Sequence, residues 1–140
     1  MGDEMDDYQV SHYMSTELIT VTPEMEIRRA VHLLLKHGVS GVPVVDEAGM
    51  LKGMLTERDC IEVVLHASYH DEPGAAVEKY MATQVMSVGP DANLMDVAEL
   101  LVTCPHRRFP VVDEGRLVGL ISRCDVLRAL DKGVWFTPKD

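Results

Sequence analysis

The chain repeats itself, and this constrains its fold more than any other feature. Tyr13-Met14 returns as Tyr80-Met81, and Val21-Thr22-Pro23 as Val88-Gly89-Pro90. Pro43-Val44-Val45-Asp46-Glu47 returns as Pro110-Val111-Val112-Asp113-Glu114, all at an offset of 67 residues. Glu47-Ala48-Gly49 then shortens to Glu114-Gly115 and the offset becomes 66: Leu51 answers to Leu117, Gly53 to Gly119 and Asp59 to Asp125. A deletion confined to a turn leaves a duplicated fold intact, because turns lie on the surface and tolerate changes of length. One copy of this size buries too little apolar surface to be stable by itself, so the copies are expected to bury what each alone leaves exposed.

Each copy reads in the order β-α-β-β-α, a mixed α/β (α+β) pattern. A short strand is expected around 18–21 and again around 85–88. A helix follows over roughly 24–37 and 91–103, with Pro23 and Pro90 in its first turn, where a missing N–H costs nothing. Ile27, Ala30, Val31, Leu34 and Leu35 recur at helical spacing as one apolar face, and Leu94, Val97, Ala98, Leu101 and Val102 repeat it. Two strands come next, 42–45 and 50–55, then 109–112 and 116–121, joined by turns carrying Gly49 and Gly115. Thr56 and Ser122 are placed to cap a last helix, and Asp59 and Asp125 three residues later give the spacing of a capping box. The stretch from His66 to Ala76, with Asp71, Glu72, Pro73 and Gly74, reads as a surface linker. Val77–Met81 reads as a helical turn leading into the second copy.

Charge and cysteine usage narrow the function. The formal net charge is −10, from 13 basic and 23 acidic residues. That argues against neutralising phosphates along DNA or RNA, yet leaves room for one small anion held by a few local donors. Asp3, Glu4, Asp6 and Asp7 form an acidic run at the start, expected to be solvated. Cys60, Cys104 and Cys124 are odd in number, widely spaced and free of any C-x-x-C, so neither a zinc site nor a disulfide framework is expected. A reducing, cytoplasmic setting fits them. No apolar run approaches the roughly 20 residues of a membrane helix, and no signal peptide is expected at the start. G-x-S-x-G, H-E-x-x-H and the Walker loop are all missing from the sequence. His66 and His70 beside Asp71 and Glu72 read as polar linker rather than as metal ligands. Neither catalysis nor a metal is expected.

Four features, in order and twice over, resemble the CBS domain family. They are the Met14 or Met81 opening with the strand ending at Val21 or Val88; the apolar helix after Pro23 or Pro90; the Pro-Val-Val-Asp strand at 43–46 and 110–113; and Gly53-x-x-Thr56-x-x-Asp59 with Gly119-x-x-Ser122-x-x-Asp125. The resemblance covers residues from about 10 to 130. It implies two β-α-β-β-α CBS units packed through their sheets with pseudo-two-fold symmetry, a Bateman module. Their extents would be 8–70 and 77–134, with 71–76 as linker, 1–7 as a disordered acidic N-terminus and 135–140 as a C-terminal tail. It further implies a homodimer that binds AMP, ADP or ATP, with S-adenosylmethionine the less favoured ligand, in clefts between the units. Such modules commonly regulate another protein. Neither nucleic acid nor membrane is implied as a partner.

The resemblance also implies roles for particular residues. Asp59 and Asp125 would accept hydrogen bonds from the ribose hydroxyls, although each equally serves to complete its capping box. Thr56 and Ser122 would face ribose or phosphate, or act as caps alone. Thr20 and Ser87 would lie close to the ligand. Val21 and Val88, with Val42 and Phe109, would line the adenine slot or else simply pack the core. The backbone at Gly41–Pro43 and Arg108–Pro110 would recognise the base. His106, Arg107 and Arg108 form the one dense basic cluster, and Arg58 and Arg123 lie inside the two Thr/Ser-x-x-Asp motifs, so phosphate binding is expected of these five. The first copy carries a neutral Ser40-Gly41 where the second has Arg107-Arg108. The clefts are therefore expected to be unequal, with the one using Ser122, Asp125 and Phe109 the tighter. The competing reading is a ligand-free interaction module, for which Trp135 and Phe136 would supply contact surface.

Overall fold

The computed structural model describes residues 8–66 and 74–132. The acidic run, most of the expected linker with His70–Pro73, and the tail with Trp135 and Phe136 lie outside the described residues. The elements are α1 (Ile27–His37), β1 (Gly41–Val45), β2 (Leu51–Thr56) and α2 (Glu57–Leu65), then α3 (Leu94–Thr103), β3 (Arg108–Asp113), β4 (Arg116–Ser122) and α4 (Arg123–Lys132). Single 3-10 turns at Val10–His12 and Val77–Lys79 complete the set. β1 pairs antiparallel with β2, and β3 with β4.

The expected first strands shrink to one residue each, and proline is the reason. Val21 N–H donates to the Pro43 carbonyl at 3.1 Å and Val45 N–H to the Val21 carbonyl at 2.9 Å, a single parallel bridge. The next bond on either side would need an N–H from Pro23 or from Pro43, and proline has none. The second copy repeats this with Val88, Pro110 and Val112, bounded by Pro90 and Pro110. Each sheet is therefore two-stranded. The first helices also start later than expected. Pro23 and Pro90 do not enter the first helical turn. They follow the first residue of tight turns closed by Met25 N–H to Thr22 O and Ala92 N–H to Gly89 O. Glu26 and Asn93 then cap the helices, their side chains accepting from the N–H groups of Arg28 and Met95.

Two compact units result: residues 19–85, and the chain up to Leu18 together with residues from Met86 on. The core of the first is built from Val21, Ile27, Ala30, Leu34, Val42, Val44, Leu55, Cys60, Val63 and Val77. That of the second is built from Tyr8, Val10, Leu94, Val97, Leu101, Phe109, Val111, Ile121, Val126 and Ala129. Val77 is thus a core residue packed with the first copy's elements, and Val10 is its counterpart in the other unit. The leading segments are bound by equivalent backbone bonds. Val77 N–H reaches Met25 O at 2.8 Å, and Met54 and Ala82 exchange two bonds of 2.9 Å; Val10 N–H reaches Ala92 O at 3.0 Å, and Ser15 and Leu120 exchange bonds of 2.8 and 3.0 Å. Gly53 and Gly119 permit this approach. A Cβ on Gly53 would lie 2.5 Å from Ala82 O, and one on Gly119 2.5 Å from Met14 Sδ. The apolar stripe of the first helices is narrower than the sequence suggests: Leu35 and Val102 are 75% and 83% exposed.

Candidate nucleotide-binding sites

Each unit presents one candidate site, where the second strand of the hairpin turns into the last helix. Thr56 ends β2 in extended conformation and caps α2. Its hydroxyl accepts from Asp59 N–H at 3.3 Å, while Asp59 Oδ2 accepts from both Thr56 N–H at 2.9 Å and Thr56 Oγ1 at 3.0 Å. Ser122 and Asp125 reproduce the arrangement, with Oδ2 accepting from Ser122 N–H at 2.8 Å and Ser122 Oγ at 3.0 Å. Such a box stabilises a helix start by about 1 kcal/mol. It also spends each hydroxyl proton on the carboxylate, so Thr56 and Ser122 serve their helices first and have no proton left for a phosphate.

The segment before each hairpin lies against that helix start. Glu57 N–H donates to Ser40 O at 2.9 Å, and Arg123 N–H to Arg107 O at 3.2 Å. Gly41 pairs with Thr56 in the strand register, and Arg108 with Ser122. The capped carboxylate, the backbone around Gly41–Pro43 or Arg108–Pro110, and the bridge residue Val21 or Val88 therefore belong to one neighbourhood in each unit. Thr20 and Ser87 immediately precede the bridges, half-buried and exposed respectively.

The apolar candidates are committed to the core. Val21 and Val42 are 1% exposed and Phe109 is wholly buried, its ring edge-on to His106 at 5.8 Å between centroids. Phe109 offers no free flat surface, and Val88 alone of the four is half-buried. The basic candidates divide. His106 and Arg107 are exposed and Arg108 half-buried. Arg123 donates through Nη2 to the Leu101 carbonyl at 3.1 Å, tying α4 to the end of α3. Arg58 lies in solvent at 4.0 Å from Glu62, an exposed pair of little energetic weight.

One residue escaped the sequence reading. Arg128, three residues after Asp125 on α4, donates from Nη1 to Asp125 Oδ1 at 2.9 Å. The i,i+3 spacing was the available signal. The first copy has Glu62 at that place. A separate groove of about 330 Å³ opens between α1 and α2, lined by residues including Val31, Leu35, Cys60 and Val64, and includes none of the candidate residues. Burial pushes the Cys60 thiol there up to about 11, with the charges of Asp59 and Glu57 adding to the shift. Among the described residues no group of His, Cys, Asp and Glu is arranged to hold a metal ion, and no helix is long and apolar enough to cross a membrane.

Known proteins share this architecture. A CBS domain-containing protein from Bacillus subtilis, YhcV, is 36% identical over 118 residues, which is 84% of this chain and 81% of that protein. The crystal structure of CBSX2 in complex with AMP superposes with a TM-score of 0.79 at 32% identity, over 88% of this chain and 96% of that one. The CBS domain pair of protein MJ0100, in complex with 5′-methylthioadenosine and S-adenosyl-L-methionine, gives 0.69 at 27% identity, over 88% and 95%. Matches named as enzymes share only a small part of their length with this chain, 14% for the A-adding tRNA nucleotidyltransferase of Aquifex aeolicus. The CBS domain family model matches residues 10–66 and 77–132, so with its doubled hairpins and doubled capped carboxylates the chain belongs to the CBS domain family as a tandem pair.

Proposed function

We propose that the chain is a regulatory module that binds an adenine nucleotide (AMP, ADP or ATP) and has no catalytic activity of its own. The observation that carries this reading is the carboxylate at the start of each last helix. Asp59 and Asp125 are fixed by their capping boxes beside a strand-edge backbone, which suits a group that must hold two ribose hydroxyls in a set geometry. The AMP bound by CBSX2 supports the same ligand class. The basic cluster at His106, Arg107 and Arg108 supplies phosphate donors to a chain otherwise rich in negative charge. The ligands bound by the MJ0100 pair make S-adenosylmethionine the second candidate. It shares the adenosine but brings no phosphate, so the basic cluster favours the nucleotide. Exposed Leu35, Val64, Leu65 and Val102 support a protein contact as well, which we assign to a homodimer.

Calorimetry of the whole chain with AMP, ADP, ATP and S-adenosylmethionine tests the proposal. Binding that weakens in Asp59→Ala or Asp125→Ala is expected. No heat from any of the four ligands at millimolar concentration refutes nucleotide binding and leaves the interaction module standing.

A further inference from the structure

The two carboxylates are not equally free to bind a diol. A carboxylate offers about four acceptor positions, two on each oxygen. In both units Oδ2 is filled by the cap residue, through its N–H and its hydroxyl. Oδ1 of Asp59 accepts no hydrogen bond from the described residues, which leaves two positions on one oxygen for the two hydroxyls of a ribose. Oδ1 of Asp125 already accepts from Arg128 at 2.9 Å, which leaves one. The Asp125 side chain is 11% exposed while Arg128 remains 64% exposed, so the guanidinium lies over the carboxylate from the solvent side. Glu62, at the equivalent place in the first unit, faces Arg58 instead.

We infer that Arg128 is a specificity-determining residue: it makes Asp59 the diol-chelating carboxylate and restricts Asp125 to a single hydroxyl until the guanidinium moves away. This rests on the nucleotide-binding proposal above and reverses the order of the clefts that the basic cluster alone suggests. The second unit has the richer set of phosphate donors, yet its ribose acceptor is partly filled.

The test is calorimetry of the full chain with AMP and with 2′-deoxy-AMP, on the wild type, Asp59→Ala, Asp125→Ala, Arg128→Ala and Glu62→Arg. The tighter AMP event is expected to vanish in Asp59→Ala and to survive Asp125→Ala. Arg128→Ala is expected to tighten the Asp125-dependent event about two- to fivefold, the range of an exposed ion pair. Glu62→Arg, which places a guanidinium three residues after Asp59, is expected to weaken the tighter event by a similar factor. The deoxy ligand gives a readout that altered helix stability does not move. Its penalty, about tenfold or more for a lost hydrogen bond to a charged group, is expected at Asp59 in the wild type and at Asp125 only after Arg128→Ala. If the wild type binds AMP but Arg128→Ala leaves the Asp125 event and its deoxy penalty unchanged, or weakens that event, the inference fails and nucleotide binding survives. The inference fails in the same way if Asp125→Ala abolishes the tighter event. If no variant binds AMP at millimolar concentration, both readings fall.

Discussion

Adding a single methyl group at Gly53 or Gly119 separates two kinds of steric limit. A Cβ on Gly53 would lie 2.5 Å from the Ala82 carbonyl oxygen and 2.9 Å from Met81 Sδ. The carbonyl belongs to a backbone held by the paired 2.9 Å bonds between Met54 and Ala82, so opening the contact by even about 0.5 Å strains those two bonds. Overpacking of this kind costs about 1–3 kcal/mol, and each weakened hydrogen bond up to about 1 kcal/mol more. The smaller unfolded-state entropy of alanine returns about 0.4–1 kcal/mol. Gly53→Ala is therefore expected to destabilise by about 2–4 kcal/mol. At Gly119 the nearest atom is Met14 Sδ at 2.5 Å, the end of a flexible side chain, with Ser15 O at 3.0 Å. Gly119→Ala is expected to cost about 1–2 kcal/mol. Urea denaturation of both variants, each combined with Met81→Ala or Met14→Ala in a double-mutant cycle, checks this. Truncating Met14 should recover most of the Gly119→Ala loss, whereas truncating Met81 should recover little of the Gly53→Ala loss. Equal rescue in both cycles, or a Gly53→Ala cost below about 0.5 kcal/mol, would refute the reasoning.

Three further outcomes follow from local chemistry. Glu114 sits at φ 52° beside Gly115 at 85° in the two-residue β3–β4 loop, so Glu114→Asn, a residue at ease in that region, should stabilise the fold by about 0.5–1 kcal/mol, read as a higher urea midpoint with an unchanged slope. Native Cys60 should resist iodoacetamide at pH 8, where about one thiol in a thousand is ionised, and exposed Cys124 should react first; mass spectrometry of the time course reads the order. The Asp46 carboxyl is held below its ordinary value, chiefly by the Met50 N–H, with the Ala48 N–H and Lys52 assisting against a smaller desolvation. Its contribution is then complete above about pH 4 and disappears as pH falls through the lowered folded value. Asp46→Asn, which keeps the accepting oxygen, should be less stable than the wild type at neutral pH and converge on it toward pH 2.

Much of the fold could be read directly from the sequence, because the same local chemistry occurs twice. The offset located both hairpins, and Thr56-x-x-Asp59 and Ser122-x-x-Asp125 marked helix starts that the structure caps as expected. The one-residue bridges were legible in principle: Pro23 with Pro43, and Pro90 with Pro110, remove the donors a longer parallel ladder requires. A strand reading by apolar run alone passes over that, since Val85–Val88 is as β-prone as a true strand. The placement of Val10 and Val77 was not legible. Their pattern is that of a helical turn before a repeat, and which core each enters depends on long-range bonds such as Val77 N–H to Met25 O. Leu35 and Val102 misled for the opposite reason. They continue the apolar helical stripe, but the buried arc of α1 and α3 closes at Leu34 and Leu101.

The sites were legible as residue types and not as capacities. A valine or phenylalanine reads the same whether it lines a slot or fills a core, so the burial of Val21, Val42 and Phe109 emerges only from the structure. Counting positive charge favoured the second unit, with Arg107, Arg108 and Arg123 against a neutral Ser40-Gly41. Under the inference above, charge alone is the wrong measure there. Arg123 is bound to the Leu101 carbonyl, and Arg128 occupies an acceptor on the very carboxylate expected to hold the ligand. Positive charge beside an Asp strengthens an anion site only if the two are not already neutralising each other. By that measure the first unit, with fewer cations but an Asp59 oxygen that accepts nothing from the described residues, has the stronger claim on a ribose, and the second retains the stronger claim on phosphate.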